Sequence, residues 1–236
     1  MSLRANLFSL LDLLLPRYCG GCGCRLALSE QCVCPSCLMQ LPRASISQCD
    51  AHSLWQHISG DERVTGFHAF AIFRQHNIVA HMVHSVKYAR RWRLGVVMGQ
   101  LAARELQPQG IFEGVDMLLP IPVTFRRRLH RGYNQAEMIA RGIAAMTGIP
   151  VATGLLLRRH HNESQTHFSS DDRFSHNAVE DVSFVLSPDA ESVLSGHSLL
   201  IVDDVVTTGR TMSAAVTTLL DIPGVRVGCL AWSLTW

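Results

Sequence analysis

Leu7, Leu10, Leu11, Leu14 and Leu15 recur at i, i+3, i+4, i+7 and i+8, the spacing of one helix face. The apolar run from Leu7 to Leu15 is too short to cross a bilayer. The bulky Pro16-Arg17-Tyr18 that follows does not fit a signal-peptide cleavage site. Residues 1–18 are therefore expected as an amphipathic helix packed on the body of the protein, with no membrane span. Residues 19–49 form a cysteine-rich stretch, and the polar, pattern-poor segment from Asp50 to Arg63 reads as a linker. From residue 64 to 236 the pattern alternates. Phe67–Phe73, Met117–Ile121, Val182–Leu186, Ser198–Val202 and Val225–Trp232 read as strands. Ile78–Tyr88, Leu94–Leu106, Gln135–Met146 and Thr211–Leu220 read as helices, with Asn134 as an N-cap. Strands alternating with helices predict an α/β domain, a parallel sheet with helices flanking both faces.

Composition narrows the class. Hydrophobic residues make up 47% and charged residues 17% of the 236, so the chain can bury a core without disulfides. A net charge of +2 is too mild to argue by itself for a nucleic-acid or membrane partner. With no secretory signal, a cytoplasmic protein is expected, where cysteines are more often metal ligands or reduced thiols than disulfides. Seven of the eight cysteines lie between Cys19 and Cys49. Cys19-x-x-Cys22 and Cys34-x-x-Cys37, separated by eleven residues, have the spacing of a closed tetrahedral Zn2+ site, structural rather than catalytic. Cys24 and Cys32 could each replace a neighbour.

The most specific chemistry lies at Ile201-Val-Asp-Asp-Val-Val-Thr-Thr-Gly-Arg-Thr211. An apolar strand ends in two carboxylates, and a Thr/Gly loop then opens a helix. Ligands of parallel α/β sheets sit outside the carboxyl ends of the strands, and a helix start offers free N–H groups and a positive dipole end to an anion. Gly209 removes a Cβ from the approach to a phosphate, and Thr207, Thr208 and Thr211 can donate further hydrogen bonds. Asp203 and Asp204, as pure acceptors, suit the hydroxyls of a sugar. A sugar phosphate fits both halves: diol on the acids, phosphate on the loop. The segment resembles the motif by which type I phosphoribosyltransferases bind 5-phosphoribosyl 1-pyrophosphate (PRPP). That resemblance extends the candidate set to Asp203, Asp204, Val205, Thr207, Thr208, Gly209, Arg210 and Thr211.

A second constellation, Arg126, Arg127, Arg128 and Arg131 followed by Gly132 and Asn134, lies on the loop expected after another short strand. The planar guanidinium fork binds two phosphate oxygens at once, so these residues suit a pyrophosphate leaving group. A solvated or nucleic-acid-binding basic surface is the competing reading. A third stretch, residues 158–177, is long and polar, as lids and binding loops are. Its Gln165, Ser169, Arg173 and Asn177 recur every fourth residue.

Taken together these segments resemble the ComF/GntX family of bacterial proteins over nearly the whole chain. The resemblance rests on the Cys-x-x-Cys pairs, Lys87-Tyr88, Arg131-Gly-Tyr-Asn-Gln135, the Gln165 to Asn177 series and Asp203 to Thr211. It implies a type I phosphoribosyltransferase-like fold behind a small zinc ribbon, PRPP bound with Mg2+, and a link in some members to DNA uptake during natural competence. It places Lys87, Arg126, Arg127, Arg131, Gly132, Asn134 and Gln135 around the pyrophosphate. Two departures stand out: Asn162-Glu163-Ser164 occupies the place of a usual Thr, and only Cys49 remains of a further cysteine pair. The chain is expected to be either a phosphoribosyltransferase of unassigned acceptor or a PRPP-sensing adaptor whose zinc module docks a competence helicase or single-stranded DNA.

Overall fold

A computed structural model describes residues 16–159 and 182–236. The leucine stripe over residues 7–15 and the series Gln165, Ser169, Arg173 and Asn177 lie outside these residues. In chain order the elements are α1 (Pro35–Met39), α2 (Ile46–Asp50), α3 (Ser53–Ile58), β1 (Val64–Phe73), α4 (Ile78–Tyr88), α5 (Trp92–Leu106), β2 (Met117–Pro120), α6 (Phe125–Arg131), α7 (Gln135–Thr147), β3 (Leu156–Arg158), β4 (Phe184–Leu186), α8 (Ala190–Leu194), β5 (Ser198–Val206), α9 (Arg210–Leu220) and β6 (Arg226–Thr235).

Four strands form the main sheet in the order β1-β6-β5-β2, and every pairing is parallel. Strand periodicity sends alternate side chains to opposite faces. Leu200, Val202, Leu230 and Trp232 enter one core, with Val83 of α4, Met98 of α5 and Ile139 of α7. Leu199, Ile201, Cys229 and Ala231 enter the other, with Leu54 of α3, Leu194 of α8 and Met212 of α9. Both faces are thus apolar, as a parallel sheet requires. Trp232 is fully buried, and its indole N–H donates to the Met98 carbonyl at 2.9 Å. The helices α5 and α7 meet backbone to backbone: a Cβ on Gly99 would sit 2.0 Å from the Ile139 oxygen, and one on Gly142 2.1 Å from the Val96 oxygen.

Three expectations need correction. The segment from Asp50 to Arg63 is not a plain linker, because it folds into α3, which buries Leu54 and Ile58 against the domain. Val182–Leu186 contributes β4 to a separate antiparallel ribbon with β3 and does not join the main sheet. The arginine-rich segment, expected as a loop, is the helix α6, because the Thr124 hydroxyl accepts from the Arg127 N–H at its start and Gly132 closes it in the left-handed region. The cysteine module is joined to the domain directly. Its exit runs along the free edge of β1, with the Ile72 N–H donating to the Pro42 carbonyl and the Ala44 N–H to the Phe70 carbonyl.

Candidate functional site

The strand β5 runs four residues further than its apolar pattern, so Asp203 and Asp204 lie within the strand. Ladder bonds to β6 hold them, with Asp203 opposite Ala231. The buried Ser233 hydroxyl donates to the Asp204 carbonyl at 3.0 Å. Lys87 of α4 places Nζ 2.9 Å from Asp204 Oδ2. Asp203 Oδ1 accepts the Asp204 N–H at 2.8 Å. Burial, and then the neighbouring charge of Asp204, push the Asp203 carboxyl well above its ordinary value.

The loop after β5 is held from behind by α3 and its cap. His52 Nε2 lies 2.7 Å from the Thr207 carbonyl, and Ser53 Oγ lies 3.4 Å from that of Thr208. Gly209 is the N-cap of α9, with φ +79°. A Cβ there would meet Leu54 Cβ at 2.5 Å, so this glycine is required by the α3 contact as well as by its backbone angle. Close approach of a ligand was the only reason legible in the sequence.

The facing wall follows β2. Asn134 caps α7 by accepting the Ala136 N–H at 3.1 Å, and its amide donates to the Ile121 carbonyl at 2.9 Å. Burial pushes the Tyr133 phenol up to about 12, and its hydroxyl donates to the Val86 carbonyl, tying the Arg-Gly-Tyr-Asn-Gln turn to α4. The Arg131 guanidinium stacks over the Tyr88 ring at 5.4 Å. Gln135 is 2% exposed, and its Oε1 has no hydrogen-bond partner among the described residues.

Between the walls lies a cleft of about 380 Å³, within the usual ~300–1,000 Å³ of small-ligand sites. Lys87, Arg127, Arg131, Asn134, Gln135, Asp203, Asp204, Val205, Thr207 and Thr211 line it. Arg126, Gly132, Thr208, Gly209 and Arg210 do not; Gly132 and Gly209 act there as helix-end residues. Residues not anticipated are Phe73, Val83 and His84 on one side and Ile121 to Val123 at the floor; Tyr88, named only beside Lys87 in the family motif, and Arg158, the first residue of the stretch expected as a binding loop, also line it. Val83 and His84 share a face of α4 with Lys87 and Tyr88 one turn on, a spacing that could have drawn them in.

The sulfurs of Cys19, Cys22, Cys24 and Cys34 lie within 4.8 Å of one another. This set has Cys24 where the knuckle spacing suggested Cys37. Cys37 is buried on α1 and still hydrogen-bonds with Cys22, Cys34 and Cys19, which, after burial, raises its thiol. The N–H groups of Gly21 and Cys34 donate to Cys19 Sγ at 3.4 and 3.3 Å. Burial opposes ionisation of Cys19, but backbone hydrogen bonds from Cys22, Cys34 and Gly21 outweigh it and hold the thiol below its ordinary value. Hydrogen bonds from Cys24 lower Cys22 to about 6. Gathered sulfurs with N–H donors favouring thiolate fit Zn2+. Cys32 stands apart from this group, and Cys49 and Cys229 are buried in the opposite core.

Residues 128–231 match the family described as the phosphoribosyl transferase domain, a span that holds both the Arg131 to Gln135 turn and the Asp203 to Thr211 loop. The chain is 24% identical over 199 residues to Competence protein F of Haemophilus influenzae, covering 83% of this chain and 75% of that protein. It is 27% identical over 158 residues to DNA utilization protein YhgH of Salmonella typhi, and equally to that of Escherichia coli. Those alignments cover 65% of this chain and 66% of the YhgH proteins, just under two thirds of their length. No helix among the described residues is long and apolar enough to cross a membrane. The parallel sheet, the cysteine cluster, the matched domain and these relatives together make the chain similar to the competence and DNA utilization proteins, with a match to the phosphoribosyl transferase domain over residues 128–231.

Proposed function

We propose that the cleft binds PRPP with Mg2+ and that this binding serves the handling of DNA during competence. The observation that carries the reading is that an acidic strand end, the threonines Thr207 and Thr211 that flank a helix start, and two arginines open onto one cleft. Asp203 and Asp204 accept from the ribose hydroxyls, Thr207 and Thr211 with the α9 start take the 5-phosphate, and Arg127 and Arg131 neutralise the pyrophosphate. Mg2+ takes hard oxygen ligands, and Asp203 and Asp204 are the residues that would hold such a cation, which would supply charge stabilisation to a pyrophosphate leaving group. The chain's own part is to orient the sugar and to hold opposite charges on its two ends. The link to DNA follows from the names of the relatives.

A thermal-shift titration tests the reading. At a hundredfold excess over its dissociation constant, a ligand specific to the native state adds about 2.7 kcal/mol. For a domain of this size that is a rise of roughly 5–10 °C in the melting temperature. PRPP should produce it only with Mg2+, and ribose 5-phosphate a smaller one. Equal curves with and without PRPP would refute the reading.

A further inference from the structure

We infer that His52, outside the phosphoribosyl transferase match, is a positioning residue that sets the phosphate loop for its anion. The inference rests on the PRPP reading above. His52 is 7% exposed and precedes α3 as its N-cap. Its Nδ1 accepts the Leu54 N–H at 3.1 Å, so that nitrogen carries no proton. In the neutral ring the proton is then on Nε2, which donates to the Thr207 carbonyl at 2.7 Å, 155 residues away in sequence.

The consequence for the loop follows from peptide geometry. All described peptide bonds are trans, and in a trans unit the C=O and the next N–H point in opposite directions. Drawing the Thr207 carbonyl back to His52 therefore turns the Thr208 N–H away from α3. The Ser53 hydroxyl, 3.4 Å from the Thr208 carbonyl, does the same for the Gly209 N–H. Two successive N–H groups held on one side of a turn form an anion-binding concavity. Leu54 supports Gly209 from the same helix. A segment that carries no ligand contact thus orients the donors that meet the phosphate.

Two substitutions separate this role from the helix cap. In H52N the amide oxygen still accepts the Leu54 N–H, since Asn is among the strongest N-caps, but the side chain is too short to reach Thr207. In H52Q a donor reaches Thr207 and the cap is weakened. Calorimetric titration with PRPP and Mg2+, at a temperature where all variants are folded, should show H52N binding about tenfold more weakly than wild type. H52Q should recover most of that affinity despite a lower melting temperature. H52N binding as tightly as wild type overturns the inference and leaves the cleft reading standing. H52Q tracking its stability loss in affinity also overturns it. A wild type that takes up no PRPP removes both.

Discussion

On the acidic side of the cleft, Thr207 and Thr208 are tethered to His52 and Ser53, and Gly209 rests on Leu54, whereas α6 on the basic side buries none of its seven residues. The acids stand in a strand whose ladder to β6 runs past them to Val206, while Phe125 and Leu129 of α6 are 68% and 73% exposed. The difference matches the interactions each side must make. Hydrogen bonds to hydroxyls and to one phosphate need donors and acceptors fixed to a fraction of an ångström, so that side is braced. Charge neutralisation by long guanidinium side chains tolerates movement and acts over several ångströms, so that side can be carried on a lightly anchored helix.

The braced side should therefore break first. G209A imposes a side chain at φ +79° and drives a Cβ into Leu54. The left-handed region costs about 1–2 kcal/mol and overpacking about 1–3 kcal/mol, so a loss of about 3 kcal/mol is expected in denaturant unfolding. On the basic side, R131A should weaken PRPP binding about tenfold while the unfolding midpoint stays put, because the residue contributes charge and one stacking contact on Tyr88. The smallest effect is expected from F125A, within ~0.5 kcal/mol of wild type in stability and with unchanged PRPP affinity. A large stability loss in F125A would show that α6 is anchored more firmly than its exposure indicates.

The acids add a pH dependence. The folded Asp203 carboxyl titrates above its unfolded value, so the folded state binds a proton more tightly than the unfolded chain. Its contribution is complete below the unfolded carboxylate range and is lost as pH rises through the raised folded value. At neutral pH, D203N removes a half-buried charge beside Asp204 and should melt higher than wild type while losing PRPP. A D203N protein that melts lower across this range would contradict the burial argument.

The same contrast decides what could be read from the sequence. Lys87 entered only through the family resemblance, whereas the acidic pair, the Thr/Gly loop and the Asn134 cap were legible because each is encoded within one short segment. The alternation that predicted the parallel sheet was legible for the same reason. What braces the loop was not: His52 and Leu54 lie more than 150 residues from their partners, in a segment without periodicity, and only the closed fold brings them together. The ribbon of β3 and β4 was misplaced because three-residue strands carry no signal of which sheet they join. That Cys24 gathers with Cys19, Cys22 and Cys34 could not be read from spacing, since sulfur separations depend on how the knuckle folds.

The most direct test of the central claim is calorimetric titration of the wild type and of D204A with PRPP and Mg2+. Asp204 is nine-tenths buried and paired with Lys87, so its loss removes a charged acceptor and leaves the ammonium without its partner. The wild type should bind with saturable heat, and D204A at least about 100-fold more weakly. An absence of heat with the wild type, or equal affinity in D204A, would contradict the account.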